Sequence, residues 1–255
     1  MPWNPEVYNK FKAERFAPFY DLLTLLKVRQ DLQVIDLGCG TGELSRKLAD
    51  YLPNANVLGI DASAEMLQGA VEFEAEGLNF EQRSIEQQLK EDSRWDLVFS
   101  NAALQWLQNH ETLIPSVIGM LKPGGQLLVQ IPSNHDHFTH ETIRNLAAQE
   151  PYCSALNGWT RISPVLNIES YAKILFDLGG SEITVFEKVY PHVLKDAAAL
   201  ADWVSGTALI PYLEKLPEEL KKTFTGHYQM QLYQRFRESP VFYPFKRTLM
   251  AAVFG

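Results

Sequence analysis

Apolar positions along this chain alternate between two rhythms. Short continuous apolar runs predict strands at 33–37, 56–60, 78–82, 96–100 and 125–131. Between them, apolar residues spaced three and four apart predict helices at 43–52, 63–74 and 109–121. Strands that alternate with helices build a parallel, doubly wound α/β sheet. Before the first strand, Val7, Phe11, Phe16, Phe19, Leu22, Leu23 and Leu26 mark an amphipathic helix over 6–28. Leu121-Lys122-Pro123-Gly124-Gly125 reads as a helix stop and turn ahead of the fifth strand. The pattern is less regular from 132 to 168, apart from a helix at 139–150. A helix at 169–178, a Gly179-Gly180 turn and a strand at 182–190 follow. Residues 196–238 read as wholly helical, broken at Pro211 and Pro217, and a strand at 247–254 makes the seventh.

With 255 residues, 46% hydrophobic and 21% charged, the chain can bury a full core. The balance of 23 basic against 31 acidic residues leaves a net charge of −8, unfavourable for a nucleic-acid backbone. Two cysteines cannot build a disulfide framework, which fits a reducing cytoplasm. The N-terminus has no basic segment leading into an apolar run, and no stretch approaches the length of a membrane span. The six histidines are scattered, so no metal site is expected; His135, His137 and His140 read as a polar loop entering a helix.

Chemistry concentrates at Val34-Ile35-Asp36-Leu37-Gly38-Cys39-Gly40-Thr41-Gly42. An apolar strand ends in an acid, and three glycines follow at spacing G-x-G-x-G before a helix. Glycine removes the Cβ that would keep a ligand from the backbone. The last glycine comes one residue too early for the dinucleotide fingerprint G-x-G-x-x-G. A second strand ends Gly59-Ile60-Asp61, about 25 residues after Asp36, close to the position of a ribose-gripping acid in β-α-β nucleoside sites.

Together, D-L-G-C-G-T-G and G-I-D resemble motifs I and II of the class I S-adenosylmethionine-dependent methyltransferases, as does the L-K-P-G-G turn. The resemblance implies a Rossmann-like sheet of seven strands, mostly parallel with an antiparallel last strand at the edge. It implies S-adenosylmethionine as cofactor, with Gly38 and Gly40 cradling the methionine part and Asp36 orienting the loop or meeting the ammonium. Asp61 would bind the ribose, Ala62 and Met66 pack on adenine, and Ile85 touch the ring. Ser84 stands where many members have an acid for the adenine amino group, and Asn101 ends the fourth strand facing the methionine part.

Further segments resemble the trans-aconitate 2-methyltransferases across nearly the whole chain: Trp3-Asn4-Pro5, Ser100-Asn101-Ala102-Ala103-Leu104-Gln105-Trp106-Leu107, Val129-Gln130-Ile131-Pro132, Trp203-Val204 and Pro211-Tyr212-Leu213. That family esterifies a carboxylate of a small polyacid. An ionised carboxylate needs no general base, so positioning does most of the work and no residue is strictly catalytic. Candidates to position a triacid are Arg15, Trp106, Arg161, Tyr212, His227, Tyr228 and Arg247. The family's Arg before Pro-Trp/Tyr-Leu is Ile210 here, which suits a less charged acid. A malonyl carrier protein, a hydroxyl or a carbon is the alternative acceptor; a nicotinamide enzyme fits the glycine spacing poorly, and a non-catalytic nucleoside-binding module stays open. The expected organisation is one methyltransferase domain: a helical lid at 1–28, the sheet core at 29–195, an inserted helical cap at 196–238 and a last edge strand at 239–255. The expected protein is a cytoplasmic monomer acting on a small molecule, without nucleic acid or membrane.

Overall fold

The computed structural model describes residues 12–255. The expected start of the first helix, with Trp3, Asn4, Pro5, Val7 and Phe11, lies outside the described residues, as do the side chains of residues 12–15, Arg15 among them.

Helix α1 (Lys12–Leu23) precedes the strand-helix alternation: β1 (Gln33–Leu37), α2 (Glu43–Tyr51), β2 (Asn56–Asp61), α3 (Ala64–Ala70), β3 (Leu78–Gln82), α4 (Ile85–Gln88), β4 (Trp95–Asn101), α5 (His110–Ile118) and β5 (Leu121–Pro132). Then come α6 (Phe138–Ala147), α7 (Tyr152–Ala155), α8 (Ile168–Asp177), β6 (Gly180–Leu194), α9 (Ala197–Ser205), α10 (Ile210–Lys215), α11 (Glu218–Arg235) and β7 (Val241–Phe254). The seven strands form one sheet in the order β3-β2-β1-β4-β5-β7-β6. Strands β1 to β5 run parallel, and β7 runs antiparallel to β5 from Gly125↔Phe254 to Pro132↔Arg247.

Three sequence expectations are corrected. The last strand is not the edge: β7 lies between β5 and β6, and β6 is the edge. The helix expected to reach 121 stops at Ile118, because Leu121 already pairs with Trp95; the glycine turn is a register shift inside β5, with Gly124 at φ 77°. Strands β6 and β7 are longer than the apolar runs that announced them. Their extra residues at 191–194 and 241–246 include His192, Leu194, Val241 and Tyr243, buried at alternate positions.

The described residues from Phe16 divide into two compact units. The sheet unit holds Phe16–Pro132, Pro164–Lys188 and Arg247–Gly255. Side chains alternate across its strands. One face buries Val34, Leu97, Phe99, Leu128 and Leu249 with Phe19, Leu22 and Leu23 of α1 and Leu48 of α2. The other buries Ile35, Val98, Leu127, Val129 and Met250 with Leu113, Ile114 and Val117 of α5 and Tyr171 and Leu175 of α8. Each such side chain contributes about 1.5–3 kcal/mol, which makes the strand ends a fixed platform.

The helical unit holds Ser133–Ser163 and Val189–Lys246. Its core is aromatic: Tyr152, Trp203, Tyr212, Phe224, Tyr228 and Tyr243 pack with Ile143 and Leu200. The expected division differs on four counts, two of them being that residues 189–195 and 239–246 group with the helices. Residues 16–28 group with the sheet, because Phe19 and Leu22 fill its core. Residues 133–163 group with the helices, because Ile143, Leu146 and Tyr152 join their aromatic core.

Candidate active site

The carboxyl ends of β1, β2 and β4 bring Asp36, Gly38, Gly40, Asp61 and Asn101 together within the sheet unit. Ligands bind at such ends in open α/β sheets. The turn after β1 is tied to β2: the Gly38 and Cys39 N–H groups both donate to the Ile60 carbonyl at 2.9 Å. The Gly40 N–H donates to Asp61 Oδ2 at 2.9 Å, and the Ser63 N–H to Asp61 Oδ1 at 2.8 Å. Each Asp61 oxygen therefore holds one backbone donor and keeps lone-pair capacity for a ligand.

Two glycines are required for different reasons. Gly38 has φ 77°, and a Cβ there would lie 2.2 Å from Ala103 Cβ, so the turn abuts the loop after β4. Gly40 has φ 57°, and a Cβ there would meet nothing within 4 Å. Its missing side chain leaves open space above the turn.

Asp36 is buried and accepts the Ser45 hydroxyl at 2.6 Å. Burial pushes its carboxyl up to about 7; the Ser45 bond opposes the rise and the Asp61 charge adds to it. A cation placed here would offset both the burial and the repulsion. Burial, with the Asp36 and Asp61 charges, also pushes the Cys39 thiol up, which disfavours the nucleophilic thiolate.

Asn101 ends β4, and its buried Oδ1 has no hydrogen-bond partner among the described residues. The next residue, Ala102, takes φ 58° and donates its N–H to the Gln130 carbonyl at 2.9 Å, turning the chain sharply. An orphaned acceptor at the end of β4, with a buried carboxylate and an open glycine turn at the end of the neighbouring β1, fits a ligand that carries an ammonium and a pair of hydroxyls.

The adenine-side residues are less committed. Met66 donates its N–H to the Ser63 hydroxyl, so Ser63 caps α3. Ala62 is exposed. Ser84 spends its hydroxyl oxygen capping α4: it accepts the Gln87 N–H at 3.2 Å, while the Gln87 side chain accepts the Ser84 N–H at 2.8 Å. Ser84 retains its O–H for donation. Ile85 is buried in the core.

The acceptor candidates separate. Trp106 is exposed on the sheet unit, in a short helical turn after β4. Arg247 is buried on the same unit and donates from Nη1 to Gln130 Oε1 at 3.2 Å. Tyr212, His227, Tyr228 and Arg161 belong to the helical unit. The Tyr212 hydroxyl accepts the Arg161 N–H at 3.0 Å and bonds Thr160 Oγ1 at 3.0 Å, anchoring the segment that carries Arg161. His227 is exposed, with Nδ1 2.9 Å from the Tyr152 hydroxyl. Tyr228 is fully buried, and burial raises its phenol.

Sequence reasoning missed Ser45, Gln130 and the buried pair His110 and Tyr171. His110 Nδ1 lies 2.5 Å from the Tyr171 hydroxyl, and Nε2 lies 3.0 Å from the Leu104 carbonyl, pinning the turn that carries Trp106. Gln130 had a visible signal, a polar residue interrupting an apolar run. Ser45 and His110 had none, because each reads as an ordinary residue early in a helix. Among the described residues, no group of three or more His, Cys, Asp or Glu could hold a metal ion. No helix among them is long and apolar enough to cross a membrane.

The methyltransferase domain family matches residues 29–175. A trans-aconitate 2-methyltransferase of Deinococcus radiodurans is 43% identical over 99% of this chain and 98% of its own. Among solved structures, the YcgJ protein of Bacillus subtilis is 16% identical, with a TM-score of 0.61, covering 93% of this chain and 98% of that one. A phosphoethanolamine N-methyltransferase of Haemonchus contortus, solved with S-adenosyl-L-methionine, is 18% identical with a TM-score of 0.53, covering 94% of this chain and 52% of that one. These two share the fold. The chain belongs to the methyltransferase family and, within it, to the trans-aconitate 2-methyltransferases.

Proposed function

We propose that this protein is an S-adenosylmethionine-dependent O-methyltransferase that esterifies one carboxylate of trans-aconitate. The observation that carries this reading is the extent of the likeness to the Deinococcus radiodurans relative, which runs through the helical unit as well as the sheet.

When bound, the cofactor supplies a methyl group on a sulfonium, open to in-line displacement by an ionised oxygen. Asp61 accepts from the vicinal ribose hydroxyls with the lone pairs its backbone donors leave free. Asn101 Oδ1 would accept from the ammonium, whose charge would favour the ionised form of Asp36. Gly38 and Gly40 would let the methionine part approach the backbone of the turn. Ala62, Met66 and Ile85 provide apolar contact for adenine, and Ser84 offers its O–H. Trp106 and Arg247 are the sheet unit's candidates to position the acid; Arg15, Arg161, Tyr212, His227 and Tyr228 are the candidates outside it. No residue abstracts a proton, because the attacking carboxylate is ionised at neutral pH. Rate then comes from alignment. The protein works as a cytoplasmic monomer on a small molecule, without nucleic acid.

Ile210 favours a second reading. It is an apolar first residue of α10, at the position where the family resemblance implies an Arg, and it suits an acid with fewer charges. Methyl-labelled S-adenosylmethionine offered with trans-aconitate and with a panel of di- and monocarboxylic acids decides between them. Base-labile label on trans-aconitate is the expected result. Label on a less charged acid alone sinks the trans-aconitate assignment and keeps the reaction class.

A further inference from the structure

Strand β5 buries two glutamines on one face, and only one of them is satisfied. Gln126 and Gln130 share that face with Leu128 because side chains alternate along the strand. Gln126 is complete: its Oε1 accepts the Lys27 N–H and its Nε2 donates to the Lys27 carbonyl, both at 2.9 Å. Gln130 is fully buried and half complete. Arg247 Nη1 donates to Gln130 Oε1 at 3.2 Å, while Gln130 Nε2 is buried with no hydrogen-bond partner among the described residues.

The amide orientation follows from chemistry. A guanidinium only donates, so the carboxamide oxygen must face Arg247 and the NH₂ must face away. Buried donors left unpaired are rare and unfavourable. The parallel register sets Asn101 beside Gln130, and Asn101 Oδ1 is also unpartnered, so the two amides do not satisfy each other. Their needs are opposite. Asn101 lacks a donor, which an ammonium supplies; Gln130 lacks an acceptor, which a carboxylate supplies.

We propose that Gln130, oriented by Arg247, binds the methyl acceptor by donating from Nε2 to one of its carboxylate oxygens. This rests on the reading that the acceptor is a carboxylic acid. Adjacent ends of β4 and β5 then sort the two reactants by hydrogen-bond polarity, cofactor to Asn101 and acid to Gln130.

Gln130→Leu removes the donor at similar volume, and Gln130→Glu replaces it with an acceptor that repels a carboxylate. Initial rates with methyl-labelled S-adenosylmethionine and each acid, together with S-adenosylhomocysteine binding by calorimetry, give the readout on the full chain. Q130L is expected to raise the KM of the accepted acid roughly tenfold or more, leaving S-adenosylhomocysteine affinity within about twofold, and Q130E to raise KM further. If Q130L fails to fold, which absent S-adenosylhomocysteine binding would reveal, Q130E decides by the same split. An unchanged KM in a folded variant overturns the proposal, as does a loss of S-adenosylhomocysteine affinity that matches the loss for the acid. A wild-type protein that methylates no carboxylic acid overturns the carboxylate reading and this proposal with it. An active wild type with an indifferent Gln130 overturns the proposal alone.

Discussion

Ser45 donates its hydroxyl to the Asp36 carboxylate at 2.6 Å, yet this bond does not keep Asp36 acidic, because burial outweighs it. The folded carboxyl titrates at about 7, against an ordinary value of 3.8. Between those values the native state holds a proton that the unfolded chain has released. Ligand-free stability therefore falls as pH rises through that window and levels off above it. Cofactor affinity runs the other way, since a cationic ligand favours ionised Asp36. Calorimetric binding of S-adenosylhomocysteine is expected to strengthen from about pH 6 to about pH 8, and Asp36→Asn to abolish both trends. A pH-independent affinity in the wild type would remove Asp36 from the ammonium's surroundings.

Gly38 and Gly40 separate packing from binding. Gly38→Ala drives a Cβ to within 2.2 Å of Ala103 Cβ and is expected to lower the melting temperature severely. Gly40→Ala meets no atom within 4 Å and costs only the left-handed backbone, about 1–2 kcal/mol. Its main effect is expected to be a loss of cofactor affinity, because the new methyl fills the space above the turn. Equal losses of stability in the two variants would contradict this division.

Tyr171→Phe tests the buried pair behind the Trp106 turn. The Tyr171 hydroxyl donates to His110 Nδ1 at 2.5 Å and accepts the Leu166 N–H at 3.2 Å. That leaves Nε2–H to donate to the Leu104 carbonyl. Removing the hydroxyl strands two buried groups, and urea unfolding is expected to lose about 1–3 kcal/mol. Burial lowers the His110 pKa below its ordinary 6.5. The neutral ring's contribution is complete above that value and is lost as pH falls through the folded one. His110→Gln should flatten that acid-side loss, and an unaltered slope would assign it elsewhere.

Much of this molecule is legible in its sequence. Val34-Ile35 and Val57-Leu58 announce β1 and β2, because strands buried on both faces read as continuous apolar stretches. The glycine turn is legible because its backbone takes positive φ and Asp61 because it ends a strand at the spacing expected of a hydroxyl-binding acid. The place of β7 is not, since neighbours within a sheet are set by long-range pairing that leaves no local trace. Nor is the grouping of residues 133–163, whose Ile143 and Tyr152 find partners in helices some fifty or more positions later. Ser84 shows the limit of motif reading: position suggests an adenine contact, while local geometry uses its oxygen as a helix cap.

The interior position of β7 has a consequence for how the molecule assembles. Strand β6 precedes β7 in the chain but reaches the sheet only through it. A ribosome that has released Gly180–Leu194 has made a strand with nowhere to dock. Three helices must emerge before Val241–Phe254 arrives to bridge β5 and β6. Closure is thus a late, long-range event, and pairings distant in sequence form slowly. Until then the growing chain carries a long unpaired strand, the form most prone to wrong association.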